Sequence, residues 1–349
     1  MRTQIQSGGL EITDYCNLKC IHCYEGNKKE NLRHMDYDKI VYFIEQFIQY
    51  GAKEIVLSGG EPFLHPNIIA LLTRIGECFA KTSFIITTNG TLLDIPTLAC
   101  IEKFDNICIQ ISLDGATKET HERQHGHATF EKIIDVLEKI KHWPKHRKIL
   151  RMTISKLNYK ECVEVAKIAC QYNAQVNYSY VCKVGNAIEN WDILGMSLAQ
   201  LVGVNEEVYR YSAKYPEQKV IPPKSILSCP FENPNYIFGL NIQTDGSVNI
   251  CTCLDSEYII GNAYTESFSE FLNSKNIELL CRRINERKEI LKNNECVGCS
   301  AIDRCGQGCI GRAKRLGNEM GLDDQCGYRR ALQFKNLFFY VNKRERTDG

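Results

Sequence analysis

Between residues 9 and 182, short apolar runs of strand type alternate six times with stretches whose apolar residues recur at helical spacing. Strands are expected over 9–15, 54–57, 84–87, 107–113, 148–155 and 176–182, and helices over 37–50, 67–80, 95–104, 129–141 and 159–172. In 37–50, for example, Ile40, Val41, Phe43, Ile44, Phe47 and Ile48 keep the helical period, and Gly51 stands where a C-cap belongs. Parallel strands need crossover connections, so the rhythm implies an α/β chain, either an open doubly wound sheet or a partial barrel. In both, chemistry belongs at the carboxyl ends of the strands. The unusual residues gather there: Cys16, Cys20 and Cys23 after the first strand, Ser58-Gly59-Gly60-Glu61-Pro62 after the second, Thr88-Asn89-Gly90 after the third and Asp114-Gly115 after the fourth.

After about residue 190 the rhythm stops. A helix is expected over 197–215, Pro222-Pro223 marks a boundary, and Thr244-Asp245-Gly246 joins two strands as a hairpin over 236–251. A charged helix over 268–290 leads to the densest cysteine cluster. The organisation expected is 1–190, a connector 191–225, a small second domain 226–330 and a C-terminal helix or tail 331–349. Lys and Arg number 43 against 42 Asp and Glu, with no basic block, so the electrostatic footprint of a nucleic-acid binder is missing. No stretch is apolar over the roughly 18 residues a membrane span needs, and the N-terminus has no signal-peptide core, so a cytoplasmic protein is expected. Eighteen cysteines in a reducing compartment read as metal ligands, catalytic thiols or small buried residues.

Cys16-x3-Cys20-x2-Cys23 puts three soft thiolates in one loop, which suits a cubane iron–sulfur cluster with one iron left open. Zinc would want a fourth ligand; His22 is available, but adjacent residues seldom share a tetrahedral site, so it reads as a loop residue. The motif, followed by the aromatic Tyr24, resembles the signature of the radical S-adenosylmethionine (radical SAM) enzymes. That resemblance implies a partial (β/α)6 barrel over about 8–185, open at one side, and a [4Fe–4S] cluster whose open iron is chelated by S-adenosylmethionine. Gly59-Gly60-Glu61-Pro62 is similar to the family's GGEP motif, where Glu61 and the backbone would hold the cofactor's amino group. Asn89, Ser112 and Asp114 fall where the family contacts cofactor or substrate, and the segment around Gly185 resembles one that packs on the adenine.

The second constellation is Cys296-x2-Cys299-x5-Cys305-x3-Cys309, with Cys326 downstream and Cys229 and Gly246-x4-Cys251 upstream. A zinc ribbon is the plain alternative. The set resembles the SPASM extension of radical SAM enzymes, a small α+β domain holding two auxiliary clusters. The resemblance implies that Cys296, Cys299, Cys305 and Cys326 bind the distal cluster and Cys229, Cys251 and Cys309 the nearer one. For the nearer cluster's fourth position, Cys253, Cys281 and an iron open to substrate stay as alternatives. Cys78, Cys100, Cys108, Cys162, Cys170 and Cys182 lie among apolar neighbours and read as core, with Cys182, at the sixth strand's end, also a candidate hydrogen-atom donor.

The function these resemblances imply is maturation of a ribosomally made peptide by hydrogen abstraction, giving a crosslink, thioether, epimer or oxidised side chain. His121-Glu-Arg-Gln-His125-Gly-His127 is similar to a stretch in peptide- and protein-modifying members, departing at Gln124-His125, and His125 and His127 read as a solvated loop at a helix start. Only about eight residues precede the first strand, so a separate leader-recognition protein is expected beside the peptide substrate, with flavodoxin or ferredoxin as electron donor. The alternatives are formylglycine formation on a sulfatase, dehydrogenation of a small molecule, and a non-catalytic iron–sulfur or zinc module.

Overall fold

The computed structural model describes residues 5–26, 31–223, 229, 231, 237–251, 253–254, 258–302 and 305–334. The expected tail thus falls outside the described residues from 335 onward, as do the first four residues of the N-terminus. Six strands, β1 (Ile5–Thr13), β2 (Glu54–Gly59), β3 (Ser83–Thr88), β4 (Ile107–Ser112), β5 (Lys148–Ile154) and β6 (Gln175–Tyr180), pair in parallel and in chain order. Between them run α1 (Tyr37–Gln49), α2 (Ile68–Cys78), α3 (Ile95–Glu102), α4 (Lys118–His125), α5 (Phe130–Lys139) and α6 (Cys162–Gln171). A doubly wound sheet reverses its strand order; here every connection steps the same way. Right-handed crossovers therefore put all the helices on one face, which is the construction of a partial barrel.

Local chemistry starts the helices where the apolar period begins. Asp36 caps α1 by accepting from the Asp38 amide, and Asp94 caps α3 from Thr97, with Pro96 in the first turn. Two expectations needed correction. His125, read as part of a solvated loop at a helix start, closes α4, which Thr117 caps, because buried His121, Gln124 and His125 supply an inward face that hydropathy ranks as polar. The single helix over 268–290 is two, α9 (Phe268–Leu272) and α10 (Lys275–Asn293), broken where Ser274 turns to cap the second.

Beyond the barrel lie α7 (Trp191–Leu194), α8 (Leu198–Lys214) and β7 (Val220–Ile221), which pairs with β6. The expected hairpin is β8 (Ile237–Ile242) and β9 (Ser247–Asn249), followed by β10 (Gly261–Asn262), α11 (Ile310–Arg315) and α12 (Cys326–Phe334). β8 pairs in parallel with β1, so the hairpin extends the barrel sheet to ten strands in the order β10-β9-β8-β1-β2-β3-β4-β5-β6-β7.

The strands alternate in a way that buried parallel strands seldom do. Leu10, Ile55, Leu57, Phe84, Ile86, Ile109, Leu150, Met152 and Val176 are buried in the core. The other parity is mostly polar and partly open: Ser58, Thr87, Gln110, Ser112, Arg151, Thr153, Asn177 and Ser179. Register sets these side by side, because Thr87 pairs with Gln110, Ser112 with Arg151, and Arg151 with Asn177. The barrel lumen is therefore a polar cleft.

Candidate functional site

The loop that leaves β1 carries Cys16, Cys20 and Cys23, and the ends of four other strands clamp it. At β2, Gly59 (φ +125°) and Gly60 let the backbones touch: a Cβ on either would stand 2.2 Å from the carbonyl oxygen of Thr13 or Tyr15. The Gly60 and Glu61 amides donate to those carbonyls at 2.7 and 2.8 Å. At β3, the Asn89 side chain donates to Asn17 Oδ1 at 2.9 Å. At β4, Asp114 Oδ2 lies 3.0 Å from His22 Nε2 and 2.7 Å from His125 Nε2, and His125 Nδ1 lies 3.2 Å from Cys20 Sγ. After β6, Gly185 (φ +54°) packs on the carbonyls of Cys23 and Tyr24, while Asn186 donates from its side chain to Cys20 O and from its backbone to Cys23 O.

Glu61 is completely buried. Its Oε1 accepts from Thr88 Oγ1 at 2.7 Å and the Phe63 amide, and Oε2 accepts from the Asn89 amide at 2.8 Å. The carboxylate thus ties the ends of β2 and β3 together beneath the loop, and burial pushes it up to about 7 against those stabilising hydrogen bonds. Asp114 is also buried, with Oδ1 accepting from the Thr153 amide at 2.6 Å. Burial works to raise it, but the His22 and His125 imidazoles hold it well below the usual carboxylate range. It stands behind the cysteine loop. Ser112 and Arg151 instead face the cleft; Arg151 was missed by sequence reasoning, although a charge in mid-strand between Leu150 and Met152 was a signal. The hydroxyl of Tyr24 hydrogen-bonds Ser58.

His125 corrects its reading as part of a solvated loop, with its side chain 4% exposed; His22 lies in the cysteine loop as expected but is packed inward, 11% exposed, and His127 is fully exposed. Among the thiols read as core, Cys100, Cys108 and Cys162 are buried, while Cys78 and Cys170 lie on the outward faces of α2 and α6 and are exposed.

The three loop thiols converge. Burial raises Cys20 and Cys16; the neighbouring thiols raise both further, and at Cys16 the Glu61 carboxylate adds to the rise. Three thiolates with a polar cleft beside them fit a cubane whose fourth iron takes a polar chelator. In the second half, Cys296, Cys299, Cys305 and Cys326 line one small cavity with Arg329 and Arg330, a four-thiol set closed on itself. Burial and then the other three thiols raise Cys296.

A third set gathers between barrel and second domain. The Cys253 amide donates to Cys251 Sγ at 3.4 Å, and Cys182 Sγ at the end of β6 lies 3.4 Å from Cys253 Sγ. The hydrogen bond from Cys182 lowers Cys253, but contact with Cys251, burial and the nearby Cys309 leave it pushed up to about 12. Cys309 caps α11 by accepting from the Arg312 amide, and Arg312 pairs with Asp324 and reaches Val181 O across the domain boundary. Cys229 is buried; the Arg287 guanidinium interacts with both it and Cys309. Cys281 is held elsewhere, in the α10 core, its thiol donating to Phe231 O at 3.0 Å.

A strand-end thiol triad over a polar half-barrel, followed by a thiol-rich domain, defines an enzyme class that builds its chemistry on iron–sulfur clusters. The family model of the radical SAM superfamily matches residues 10–169, and that of the SPASM iron–sulfur cluster-binding domain matches residues 235–300. The chain belongs to the radical SAM enzymes with a SPASM-type auxiliary domain, and its cofactors are [4Fe–4S] clusters and S-adenosylmethionine. It is 21% identical to the mycofactocin maturase MftC of Mycolicibacterium smegmatis over 90% of this chain and 81% of the relative. It is 24% identical to the antilisterial bacteriocin subtilosin biosynthesis protein AlbA of Bacillus subtilis, over 76% of this chain and 59% of the relative. Among solved structures, Streptococcus suis SuiB bound to S-adenosylmethionine superposes with a TM-score of 0.75 at 17% identity, covering 92% of this chain and 77% of that one. A chain named anSMEcpe with bound AdoMet gives 0.75 at 15% identity, covering 97% and 96%. Among the described residues no helix is long and apolar enough to cross a membrane.

Proposed function

We propose that this enzyme matures a ribosomally made peptide by hydrogen abstraction, with a net oxidation as the outcome. The observation that carries the reading is the junction of the open polar cleft with two further thiol sets: a route for electrons adjoins the space where substrate would sit. Relatives named as a mycofactocin maturase and a bacteriocin biosynthesis protein, and the SuiB fold solved with its precursor peptide SuiA, support the same reading.

Cys16, Cys20 and Cys23 would hold the radical-generating cluster. Bound there, cluster and S-adenosylmethionine supply a 5′-deoxyadenosyl radical able to take hydrogen from an unactivated carbon. The chain's own task is to bind, orient and exclude water. Gly59 and Gly60 bring a backbone edge up to the cysteine loop for the cofactor's amino group, and Glu61 and Asn89 hold that edge in place. Arg151 and Ser112, paired across β4 and β5, would offer a cation and a hydroxyl to its carboxylate, and Gly185 lets the following segment pack against the Tyr24 side. Cys296, Cys299, Cys305 and Cys326 would take the distal cluster, and Cys229, Cys251 and Cys309 the nearer one. Cys253 would complete the nearer set, since its thiol interacts with that of Cys251 and lies near Cys309, while Cys182 is in contact with Cys253 itself. Closed in this way, both clusters serve electron transfer. A cavity of about 450 Å³ between β6, Ile221 and Arg312 offers the peptide a lateral way in. A flavodoxin- or ferredoxin-type donor supplies the electron.

The test is anaerobic reconstitution with dithionite and S-adenosylmethionine. The chain should release 5′-deoxyadenosine, and replacing Cys16, Cys20 and Cys23 with Ala should abolish release while leaving roughly eight irons on two cubanes. Zinc in place of iron, with no release, would sink the reading. Incubation with short peptides encoded beside the gene, followed by mass spectrometry, should show a loss of two hydrogens; conversion of a sulfatase cysteine to formylglycine instead would favour the sulfatase alternative.

A further inference from the structure

The barrel's reaction uses the three loop thiols, but nothing in it requires the buried imidazoles that surround one of them. Cys20 Sγ, His125 Nδ1 and Nε2, Asp114 Oδ2 and His22 Nε2 form a continuous chain with links of 3.2, 2.7 and 3.0 Å. The two central members, Asp114 and His125, are held from a second direction. Asp114 Oδ1 accepts from the Thr153 amide, the Asp114 amide donates to His121 Nδ1 at 3.1 Å, and His121 stacks on His125 with ring centroids 4.4 Å apart and planes 15° from parallel. His125 cannot turn away without breaking this packing.

Donor counting sets the direction of each bond. Asp114 is a carboxylate and accepts, so both Nε2 atoms donate to it. The remaining nitrogen of His125 faces the Cys20 sulfur. With iron bound to that sulfur the thiol proton is gone from it, the sulfur can only accept, and the proton on the line between the two atoms resides on Nδ1. Three ligand atoms of His22, Asp114 and His125 also lie close enough together to suggest a metal site. Against that, both nitrogens sit at hydrogen-bond distance from a single carboxylate oxygen, and the other nitrogen of His125 is taken by sulfur.

We propose that His125, positioned by Asp114, donates a hydrogen bond from Nδ1 to the Cys20 sulfur and so sets the reduction potential of the cluster held by Cys16, Cys20 and Cys23. An N–H aimed at a ligand sulfur draws charge off the cluster and favours the reduced state, and hydrogen bonds to sulfur are among the levers that set such potentials. The inference rests on the assignment of Cys20 as a cluster ligand, and the experiment separates the two.

The reconstituted enzyme is poised at a series of potentials, and the cluster whose electron paramagnetic resonance signal responds to S-adenosylmethionine is followed; the auxiliary signals serve as the internal check on folding. His125→Leu should make the potential more negative by about tenfold in the reduction equilibrium, about 59 mV for one electron. His125→Asn, which returns an N–H near the Nδ1 position, should recover most of it. Asp114→Asn should shift in the same direction as His125→Leu and add little in the double variant. If His125→Leu fails to assemble the cluster, the Asp114→Asn and His125→Asn pair decides. Unchanged potentials in the folded variants overturn the proposal, as does one zinc per chain bound outside the clusters and lost with His125. A wild-type chain with no cofactor-responsive cluster refutes the ligand assignment instead.

Discussion

Glu61 shows how one buried side chain can be structural and titratable at once. Its carboxylate accepts from the Thr88 hydroxyl and the Asn89 and Phe63 amides, yet burial raises its proton affinity above that of the unfolded chain. The folded state therefore holds more protons than the unfolded one between about pH 4.5 and about 7, and the group's contribution to stability falls as pH rises through that window. Comparing wild type with Glu61→Gln by denaturant unfolding should show the wild type's advantage greatest at the acid end and shrinking until about pH 7, where it levels off. The amide should cost about 1–3 kcal/mol, because its NH2 faces a donor. Gly60 is the complementary case, where any side chain is excluded. A methyl 2.2 Å from the Tyr15 carbonyl would push β2 off the cysteine loop, so Gly60→Ala should lower iron content at the loop cluster, read by iron assay in a background lacking the auxiliary cysteines.

At the scale of elements, the second domain is fastened to the barrel by a strand and a helix. β8 lies along β1, and Phe268 of α9 packs against Phe47 and Tyr50 at the end of α1 with ring centroids 5.3 and 5.5 Å apart. Phe268→Ala should cost about 3–5 kcal/mol. Because the lost contacts join the two halves, hydrogen exchange should rise in β8 and β9 more than in β3 and β4. Equal exchange in both regions would mean that α9 is not the fastening. These elements differ in how far the chain announced them. The period of two and the period of 3.6 are local, so β1 through β6 and their main helices were legible to within a few residues. α4 was not, because its inward face is made of histidine and glutamine, whose burial depends on nearby Asp114 and also on Ser155 and the cysteine loop, both remote in sequence.

For the whole molecule, the question is how the thiol sets connect. Cys182 belongs to the barrel and Cys253 to the second domain, and their sulfurs meet at the boundary that Arg312 bridges. If Cys253 completes the nearer cluster, Cys253→Ser should leave about eight irons instead of twelve after reconstitution, or a nearer cluster with altered magnetic resonance, while Cys182→Ser should leave the count unchanged. The reverse pattern would assign the fourth position to Cys182. Sequence reasoning named both residues and had no means of joining them, since 71 positions separate them and no spacing rule spans that distance.

The chain by itself determined what depends on near neighbours: a thiol triad within eight residues, glycines at strand ends, alternation of strand and helix, a hairpin at Asp245-Gly246 and the four-cysteine run from Cys296. Only the tertiary structure decided which distant groups close on them. It set β8 on β1, Cys182 on Cys253, and His125 and Asp114 on Cys20. The physical reason is that a parallel sheet brings together residues from 23 positions apart, as Phe84 and Ile107, to 232 apart, as Ile5 and Ile237, through backbone pairing, which almost any side chain permits. The partners chosen then depend on register and packing, quantities that no local pattern carries.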